Sequence, residues 1–245
     1  MTLLVTEIHN HNEPDDARII FAADRRITHN GHYVDTRKKI FEVPRLHAGI
    51  GYFGLAEVGS GVAARPMNEW VGRHLRQNTA VSTLAEFSNA LAESLNLAVP
   101  QSHRWHIPSG FHIAGFDDGG RVEFWFVRNV EDDRTTCTGT YSAREDFQRR
   151  DKANLQRGQH QIYRNGDLLP HVLLWETLDG ALMPLLNRAD FRPIRTTGEY
   201  AEWVRFKMEV IAYVYKKYCK RPVIGRPIDA FCISAAKRRR ERDHV

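Results

Sequence analysis

The sequence predicts an α+β protein built as a four-layer αββα sandwich, in which two mainly antiparallel sheets are flanked by helices. Strand-like runs fill residues 2–56, two amphipathic helical segments follow, and further strand-like runs begin at residue 110. A long helical segment and one last strand complete the chain, an order that fits two packed sheets with helices outside them. Because no linker or internal repeat divides the sequence, we expect one domain over residues 1–236 and a basic tail over residues 237–245.

The first two predicted strands form a hairpin. They are joined by the polar stretch NHNEPDDA, which contains proline and several turn-forming Asn and Asp residues. If His9 pairs with Arg18, the antiparallel register brings Thr2 opposite Arg25 and beside Asp24. A hydroxyl near the chain start is therefore predicted to meet a carboxylate.

Turn signals divide the remaining β segments. Asn30-Gly31 and Pro44 split residues 18–57 into three predicted strands. Apolar runs bounded by turns predict three more strands, over residues 110–116, 121–127 and 228–234. Residues 129–195 are mixed, first polar and charged and then apolar, and we expect irregular structure there with one or two helices.

Three helices are predicted from their caps and periodicity. Pro66 suits the first position of one helix, and Thr83 and Thr196 each open another with a capping box. The stripes predicted to be buried are Met67, Trp70, Val71, His74 and Leu75, then Leu84, Phe87, Leu91 and Leu95, then Trp203, Phe206, Val210, Val214 and Tyr218. Lys207 would lie largely off the third stripe.

Composition is that of an ordinary globular protein, with 42% hydrophobic and 27% charged residues among 245. No run approaches the roughly 18 apolar residues of a membrane span, and the start lacks signal-peptide features, so we expect a cytoplasmic protein. Cys137, Cys219 and Cys232 have no CxxC spacing and predict neither a disulfide nor a zinc site. The net charge of +5 concentrates in the tail. We interpret that tail as a solvated segment rather than a nucleic-acid contact, because no aromatic residues interleave.

A set of motifs follows one order between Thr2 and Ala56. They are Asp24-x-Arg26-x-Thr28, Gly31, Lys39-Ile40-Phe41-Glu42-Val43 and Gly54-Leu55-Ala56. With a threonine directly after Met1, they resemble the proteasome β-type subunit family of N-terminal-nucleophile hydrolases, in particular its simple bacterial members. The resemblance covers residues 2–127 well and residues 197–235 loosely.

The resemblance implies a catalytic set made of Thr2, Asp24 and Lys39, with Lys38 as the alternative if the alignment slips by one residue. Removal of Met1 would free the Thr2 amine, whose reference pKa of ~7.7–8.0 lets it act as general base for its own hydroxyl. Lys39 would stabilise the alkoxide-like oxygen, and Asp24 would pair with Lys39. The hairpin register independently predicts Asp24 beside Thr2 but says nothing about Lys39.

Further positions of the family imply supporting roles. Gly54 matches the residue whose N–H faces the developing oxyanion. Tyr52 and Ala56 match residues that line the pocket for the substrate side chain before the scissile bond. Arg26 and Thr28 are expected to hold strand and loop geometry near the site.

Two segments depart from the family pattern. Where active members carry D-x-x-S-G-G, this chain has RPVIGR over residues 221–226, without the carboxylate and the hydroxyl. The Gly-Ser pair of the second sheet has only poor matches in Gly139-Thr140 and Ser142. These departures leave two alternatives open: a catalytically inactive proteasome-like assembly protein, and an amidase for a small non-peptide amide.

The resemblance also implies partners. It implies a peptide or unfolded protein as substrate, a homo-oligomeric ring or spiral, and an ATP-dependent unfoldase that feeds it. It implies no metal or organic cofactor, and we expect neither membrane nor nucleic-acid partners. The pair His9-x-His11 with Glu13 is interpreted as a solvent-exposed loop rather than a metal clamp.

Overall fold

The computed structural model describes residues 3–9, 16–29, 32–131, 136–147, 160–166, 171–186 and 188–235, which form an α+β fold with antiparallel sheets. The strands are β1 (Leu3–His9), β2 (Arg18–Asp24), β3 (Arg26–His29), β4 (His32–Thr36), β5 (Ile40–Val43), β6 (Ala48–Phe53), β7 (Glu57–Val58), β8 (Arg65–Pro66), β9 (Gly110–Phe116), β10 (Val122–Val130), β11 (Cys137–Glu145), β12 (Gln161–Gly166) and β13 (Ile228–Ser234). The helices are α1 (Met67–Gln77), α2 (Leu84–Ala98), α3 (Gln101–His106), α4 (Glu176–Leu186) and α5 (Thr197–Tyr218). The predicted basic tail lies outside the described residues.

Two sheets dominate the described part of the chain. One has the strand order β12-β1-β2-β13, and the other has the order β11-β10-β9-β6-β5. In the first sheet, β1 and β2 pair from Leu4 opposite Ala23 to His9 opposite Arg18. This register confirms the predicted hairpin as far as Leu4. Thr2, the residue on which the functional prediction depends, lies outside the described residues.

Buried apolar side chains form three clusters on successive faces of the sheets. The cluster between the sheets contains Leu4 and Phe21 from one sheet and Phe53 and Phe124 from the other. A second cluster packs the outer face of the β6-containing sheet against α1 and α2, and includes Ile50, Val71, Phe87 and Leu91. A third packs the outer face of the β2-containing sheet against α5, and includes Val5, Ala22, Val204 and Met208. Each sheet therefore buries both faces.

The capping predictions for two helices are confirmed. Thr83 and Thr196 each accept a hydrogen bond from the backbone of the third helical residue, whose Glu side chain bonds back to the cap. The predicted stripe of α5 is wrong, since Phe206 is 45% and Tyr218 78% exposed. The buried side consists of Ala201, Val204, Lys207, Met208, Ile211 and Ala212.

Two other expectations need correction. Residues 18–57 contain five complete strands rather than three, because the short hairpin β3–β4 separates β2 from β5. The described part of residues 129–195 contains more regular structure than expected: β11 and β12 form edge strands of the two sheets. The helix α4, which follows a π-helical turn at His171–Trp175, agrees with the expectation of one or two helices. No described helix has an apolar stretch of the length that a transmembrane helix requires.

Candidate functional site

The pair Asp24 and Lys39 joins the two sheets where β2 ends and β5 begins. Both side chains are 0% exposed. The Lys39 Nζ donates to Asp24 Oδ1 at 3.1 Å and to the backbone carbonyl of Arg26 at 2.7 Å. The N–H of Leu3 donates to the same Asp24 Oδ1 at 2.8 Å. The structure thus brings together two of the three predicted catalytic residues, beside the first described residue of the chain.

Burial shifts the pKa of both residues of this pair. It raises the pKa of the Asp24 carboxyl above its ordinary range, and the Lys39 ammonium and the N–H donors oppose that rise. Burial also lowers the pKa of Lys39, and Asp24 opposes the fall. The Lys39 proton is therefore held less tightly than that of an exposed lysine. Such a group is suited to proton transfer or to stabilising a nearby negative charge.

The segment over residues 221–226 reaches the same carboxylate through its backbone. The N–H of Gly225 donates to Asp24 Oδ2 at 3.4 Å, so both carboxylate oxygens accept from a main-chain donor. The sequence showed only that the acid and the hydroxyl of the family pattern are absent. It could not reveal this contact, because a backbone N–H is present at every residue except proline.

Gly54 directly follows β6 and has a φ of +88°, in the left-handed region. A Cβ at this position would lie 2.3 Å from the carbonyl oxygen of Pro108 and 2.5 Å from the Cβ of Ser109. Backbone conformation and close packing therefore require glycine here. Because this explains the glycine by itself, the oxyanion role of Gly54 stays a prediction.

Tyr52, which was predicted to line a substrate pocket, is 2% exposed and packs in the cluster beneath α1 and α2. Its hydroxyl donates to the carbonyl of Lys38 at 3.1 Å, and burial raises its pKa well above the usual range. Ala56 is half-buried, and its carbonyl accepts from Arg37 at 3.1 Å. In the structure Tyr52 is a core residue, and neither assignment to a substrate pocket goes beyond a prediction.

The alternative lysine is placed differently from Lys39. Lys38 is exposed, and its ammonium lies 5.2 Å from the ring centroid of Phe41. Of these two lysines, Lys39 is the one that contacts Asp24.

The residues expected to hold geometry near the site belong to the β3–β4 hairpin. Arg26 lies opposite Thr36 and Thr28 opposite Tyr33. The carbonyl of Arg26 ties this hairpin to Lys39. The poor matches to the family Gly-Ser pair, Gly139-Thr140 and Ser142, lie on β11, where an added Cβ at Gly139 would meet the ring of Trp105 in α3.

The side chains of Thr6, His112 and Asn165 form a chain of hydrogen bonds between the sheets, which the sequence did not suggest. Thr6 Oγ1 lies 3.0 Å from His112 Nδ1, and His112 Nε2 lies 2.6 Å from Asn165 Oδ1. This order resembles a nucleophile, a base and an orienting group. Thr6 and His112 are both 0% exposed, so no substrate reaches the hydroxyl. This chain of hydrogen bonds satisfies polar groups within the core.

A second charged cluster lies under α5. The Lys207 Nζ is 3.0 Å from Glu7 Oε1 and 3.0 Å from Asp179, and the indole of Trp175 donates to Glu7 at 2.8 Å. Lys207 is 1% and Glu7 0% exposed. Burial alone would raise the pKa of Glu7, but Lys207 and nearby histidines hold it well below its usual range. Periodicity could not find this cluster, because its members are far apart in sequence.

The same cluster contains the side chains best suited to hold a metal. Ligand atoms of Glu7, His160 and Asp179 lie within 4.8 Å of one another, beside a cavity of about 250 Å³. The Lys207 ammonium already lies between the two carboxylates, so a divalent ion would have to displace it. His9 is not the exposed loop residue expected: its ring stacks on His160 at 4.8 Å, and it bonds Glu7 at 2.8 Å. His11 and Glu13 lie outside the described residues.

Comparison with known proteins adds no relative from which a function can be transferred. No protein-family model matches the chain, and no curated protein is matched by its sequence.

Proposed function

We propose that this chain is a threonine-type N-terminal-nucleophile hydrolase that cleaves peptide (amide) bonds once Met1 is removed from Thr2. The observation that carries the proposal is the fully buried Asp24–Lys39 pair, which also accepts the N–H of Leu3. Thr2 is covalently joined to that nitrogen, and consecutive Cα atoms are only about 3.8 Å apart. The buried Asp24 carboxylate therefore contacts both the Lys39 ammonium and the backbone nitrogen to which Thr2 is joined.

The proposed first step uses the two ends of Thr2. Its free amine takes the proton from its own hydroxyl, and the oxygen attacks the substrate carbonyl. Lys39 lowers the energy of the developing alkoxide, since its ammonium is held by Asp24 and by the carbonyl of Arg26. Asp24 holds the lysine in place rather than reacting.

Collapse of the tetrahedral intermediate completes the proposed cycle. The N–H of Gly54 stabilises the oxyanion, and the protonated Thr2 amine returns a proton to the leaving nitrogen. Water then attacks the acyl-enzyme, with the same amine as base, and regenerates the threonine hydroxyl. All groups in this sequence come from the chain itself.

We further propose that the fold is the four-layer αββα sandwich of this hydrolase class. Its support is the arrangement of the three apolar clusters, one between the sheets and one beneath the helices on each outer face. In that setting the chain would assemble into a homo-oligomeric ring or spiral in the cytoplasm, with its sites inside and an ATP-dependent unfoldase supplying protein substrates. The resemblance of the motifs to proteasome β-type subunits supports this assembly.

Intact-mass spectrometry before and after treatment with a threonine-directed epoxyketone tests the proposal. We expect loss of Met1 and a covalent adduct that maps to Thr2. Thr2→Ala should form no adduct and cleave no peptide, whereas Thr2→Ser should still react, because it retains both the hydroxyl and the amine. A Thr2→Ala protein that cleaves peptides at the wild-type rate would remove the proposed site.

The same experiment separates the two alternatives. A purified chain that retains Met1 and forms no adduct would be the inactive assembly protein. The absence of the D-x-x-S-G-G groups over residues 221–226 favours that alternative. An adduct at Thr2 without cleavage of any peptide in a broad panel would indicate an amidase for non-peptide amides.

A further inference from the structure

A cationic cavity lies against the candidate site. It has a volume of about 440 Å³ and lies between the second half of α5 and the segment over residues 222–226. Four of its lining residues are Arg26, Lys216, Lys217 and Arg226, and none of its lining residues is acidic. The cavity is large enough for one or two side chains of a bound chain.

Most of this charge is not neutralised within the described part of the chain. Arg226 pairs with Glu209 at 3.0 Å. Arg26, Lys216 and Lys217 form no ion pair with any described carboxylate. The Arg26 guanidinium lies 5.0 Å from the ring centroid of Tyr33, and its buried Nε has no hydrogen-bond partner there. The cavity thus holds an excess of positive charge, including one fork-shaped donor suited to a carboxylate.

Two residues of the cavity wall also contact the buried Asp24–Lys39 pair. Gly225 lines the cavity, and its N–H donates to Asp24 Oδ2 at 3.4 Å. Arg26 lines it too, and its carbonyl accepts from Lys39 at 2.7 Å. The cavity and the surroundings of the Asp24–Lys39 pair therefore share two residues, Arg26 and Gly225.

We propose that this cavity is a subsite for an acidic side chain, Asp or Glu, of the peptide substrate. The inference rests on the proposed function, because it assigns a substrate preference to that site. A carboxylate would neutralise Arg26 and the two lysines, whereas a lysine or arginine side chain would be repelled by them. The enzyme would accordingly prefer acidic segments of unfolded proteins.

Matched peptides that differ only by Glu or Gln at each position around the cleaved bond test this subsite. At one or two positions we expect Glu to be cleaved with about tenfold higher kcat/KM, the size expected for two partly exposed charge pairs. The preference should fall at high salt, because the lysines are exposed. It should disappear in Lys216→Glu/Lys217→Glu. The matched control Arg73→Glu/Arg76→Glu has the same charge change on exposed residues of α1, outside the cavity lining, and should keep it.

Binding of a labelled acidic peptide to the Thr2→Ala protein, followed by fluorescence anisotropy, separates the two proposals. Binding that needs Lys216 and Lys217, without any adduct at Thr2 in the wild type, would retain the subsite and remove the hydrolase. An adduct and cleavage without Glu preference would remove the subsite alone. A Glu preference that persists in the Lys216→Glu/Lys217→Glu variant would also remove the subsite. Binding of RNA or inorganic phosphate to the cavity, without binding of the acidic peptide, would remove it as well.

Discussion

At the scale of single residues, the choice between Lys38 and Lys39 shows what a sequence can and cannot decide. Neighbouring residues on an extended chain point in opposite directions, so one of the two lysines had to face away from Asp24. The motif favoured Lys39, and the structure buries Lys39 against Asp24 while Lys38 is exposed. One lysine is therefore desolvated and paired and the other is solvated, so the expected effects of removing them differ.

Lys39→Met should damage both stability and cleavage. The variant leaves Asp24 buried without its counter-ion, which costs about 3–5 kcal/mol, and we expect a fall of at least ~100-fold in peptide cleavage. Lys38→Met should stay within about 0.5 kcal/mol of wild type. Urea unfolding and peptide turnover measure the two effects.

The double variant Asp24→Leu/Lys39→Met distinguishes folding from chemistry. Removing both charges should recover part of the lost stability, because an apolar pair leaves no unpaired buried ion. Cleavage should not return. Recovery of cleavage together with stability would show that the pair acts only as a structural contact.

His74 gives a pH dependence with a defined sign. It is 5% exposed on α1, and burial, with Arg45 nearby, lowers its pKa to about 4 from 6.5. Because the unfolded chain takes up the proton more readily, His74 contributes stability above pH ~6.5 that is lost as the pH falls towards ~4, roughly 3 kcal/mol in all. His74→Gln should flatten this part of the curve of unfolding free energy against pH. An equal slope in variant and wild type would contradict the assignment.

At the scale of elements, α5 shows how a wide apolar surface misleads a periodicity argument. Two stripes run along this helix, and the one with the larger aromatic residues was predicted to be buried. The structure buries the aliphatic stripe instead and puts Lys207 within it. A lysine is ordinarily a strong signal for the exposed face. Here Glu7 on β1 and Asp179 on α4 neutralise it, and no local pattern could report partners on other elements.

Lys207→Met should therefore loosen the packing of α5 on its sheet. The variant leaves the buried charge of Glu7, beside Trp175, without its lysine partner. We expect the free energy of unfolding to fall by about 3–5 kcal/mol. The matched change Lys220→Met, at an exposed position just beyond the helix, should be close to neutral.

Adding Glu7→Gln to Lys207→Met should restore part of the stability, since the remaining amide can still accept from the indole. In the wild type, the depressed pKa of Glu7 means that its contribution is present above pH ~4.5 and is lost as the solution becomes more acidic. Denaturant midpoints of the single and double variants measure the coupling. Simple additivity of the two losses would contradict a direct interaction.

At the scale of the whole molecule, the sequence predicted the elements with strong local signals and missed those without them. Capping boxes located α2 and α5, and apolar runs between turn signals located β1, β2, β9 and β13. Strand β11 has a half-exposed pattern, and β12 is a short edge strand, so neither carries a clear apolar period. The pairing of Asp24 with Lys39 rested on a motif, whereas the Gly225 donor, the Glu7–Lys207 pair and the cationic cavity depend on chain segments far apart in sequence.

The two sheets approach each other closely at Gly49, so a substitution there tests the packing of the whole molecule. A Cβ there would come within 2.5 Å of the ring of Phe21 and 2.8 Å of the ring of Phe231, both on the facing sheet. Gly49→Ala should therefore force the sheets apart and cost about 1–3 kcal/mol. The matched change Gly180→Ala on α4, where an added Cβ meets nothing within 4 Å, should stabilise by about 0.5–1 kcal/mol.

We expect the urea midpoint to fall in Gly49→Ala and to rise in Gly180→Ala. Circular dichroism and tryptophan fluorescence should report the same single transition for each variant. A single transition is expected because the cluster between the sheets joins the layer under α1 and α2 to the layer under α5. If Gly49→Ala left the midpoint unchanged, the sheets would not meet at this residue.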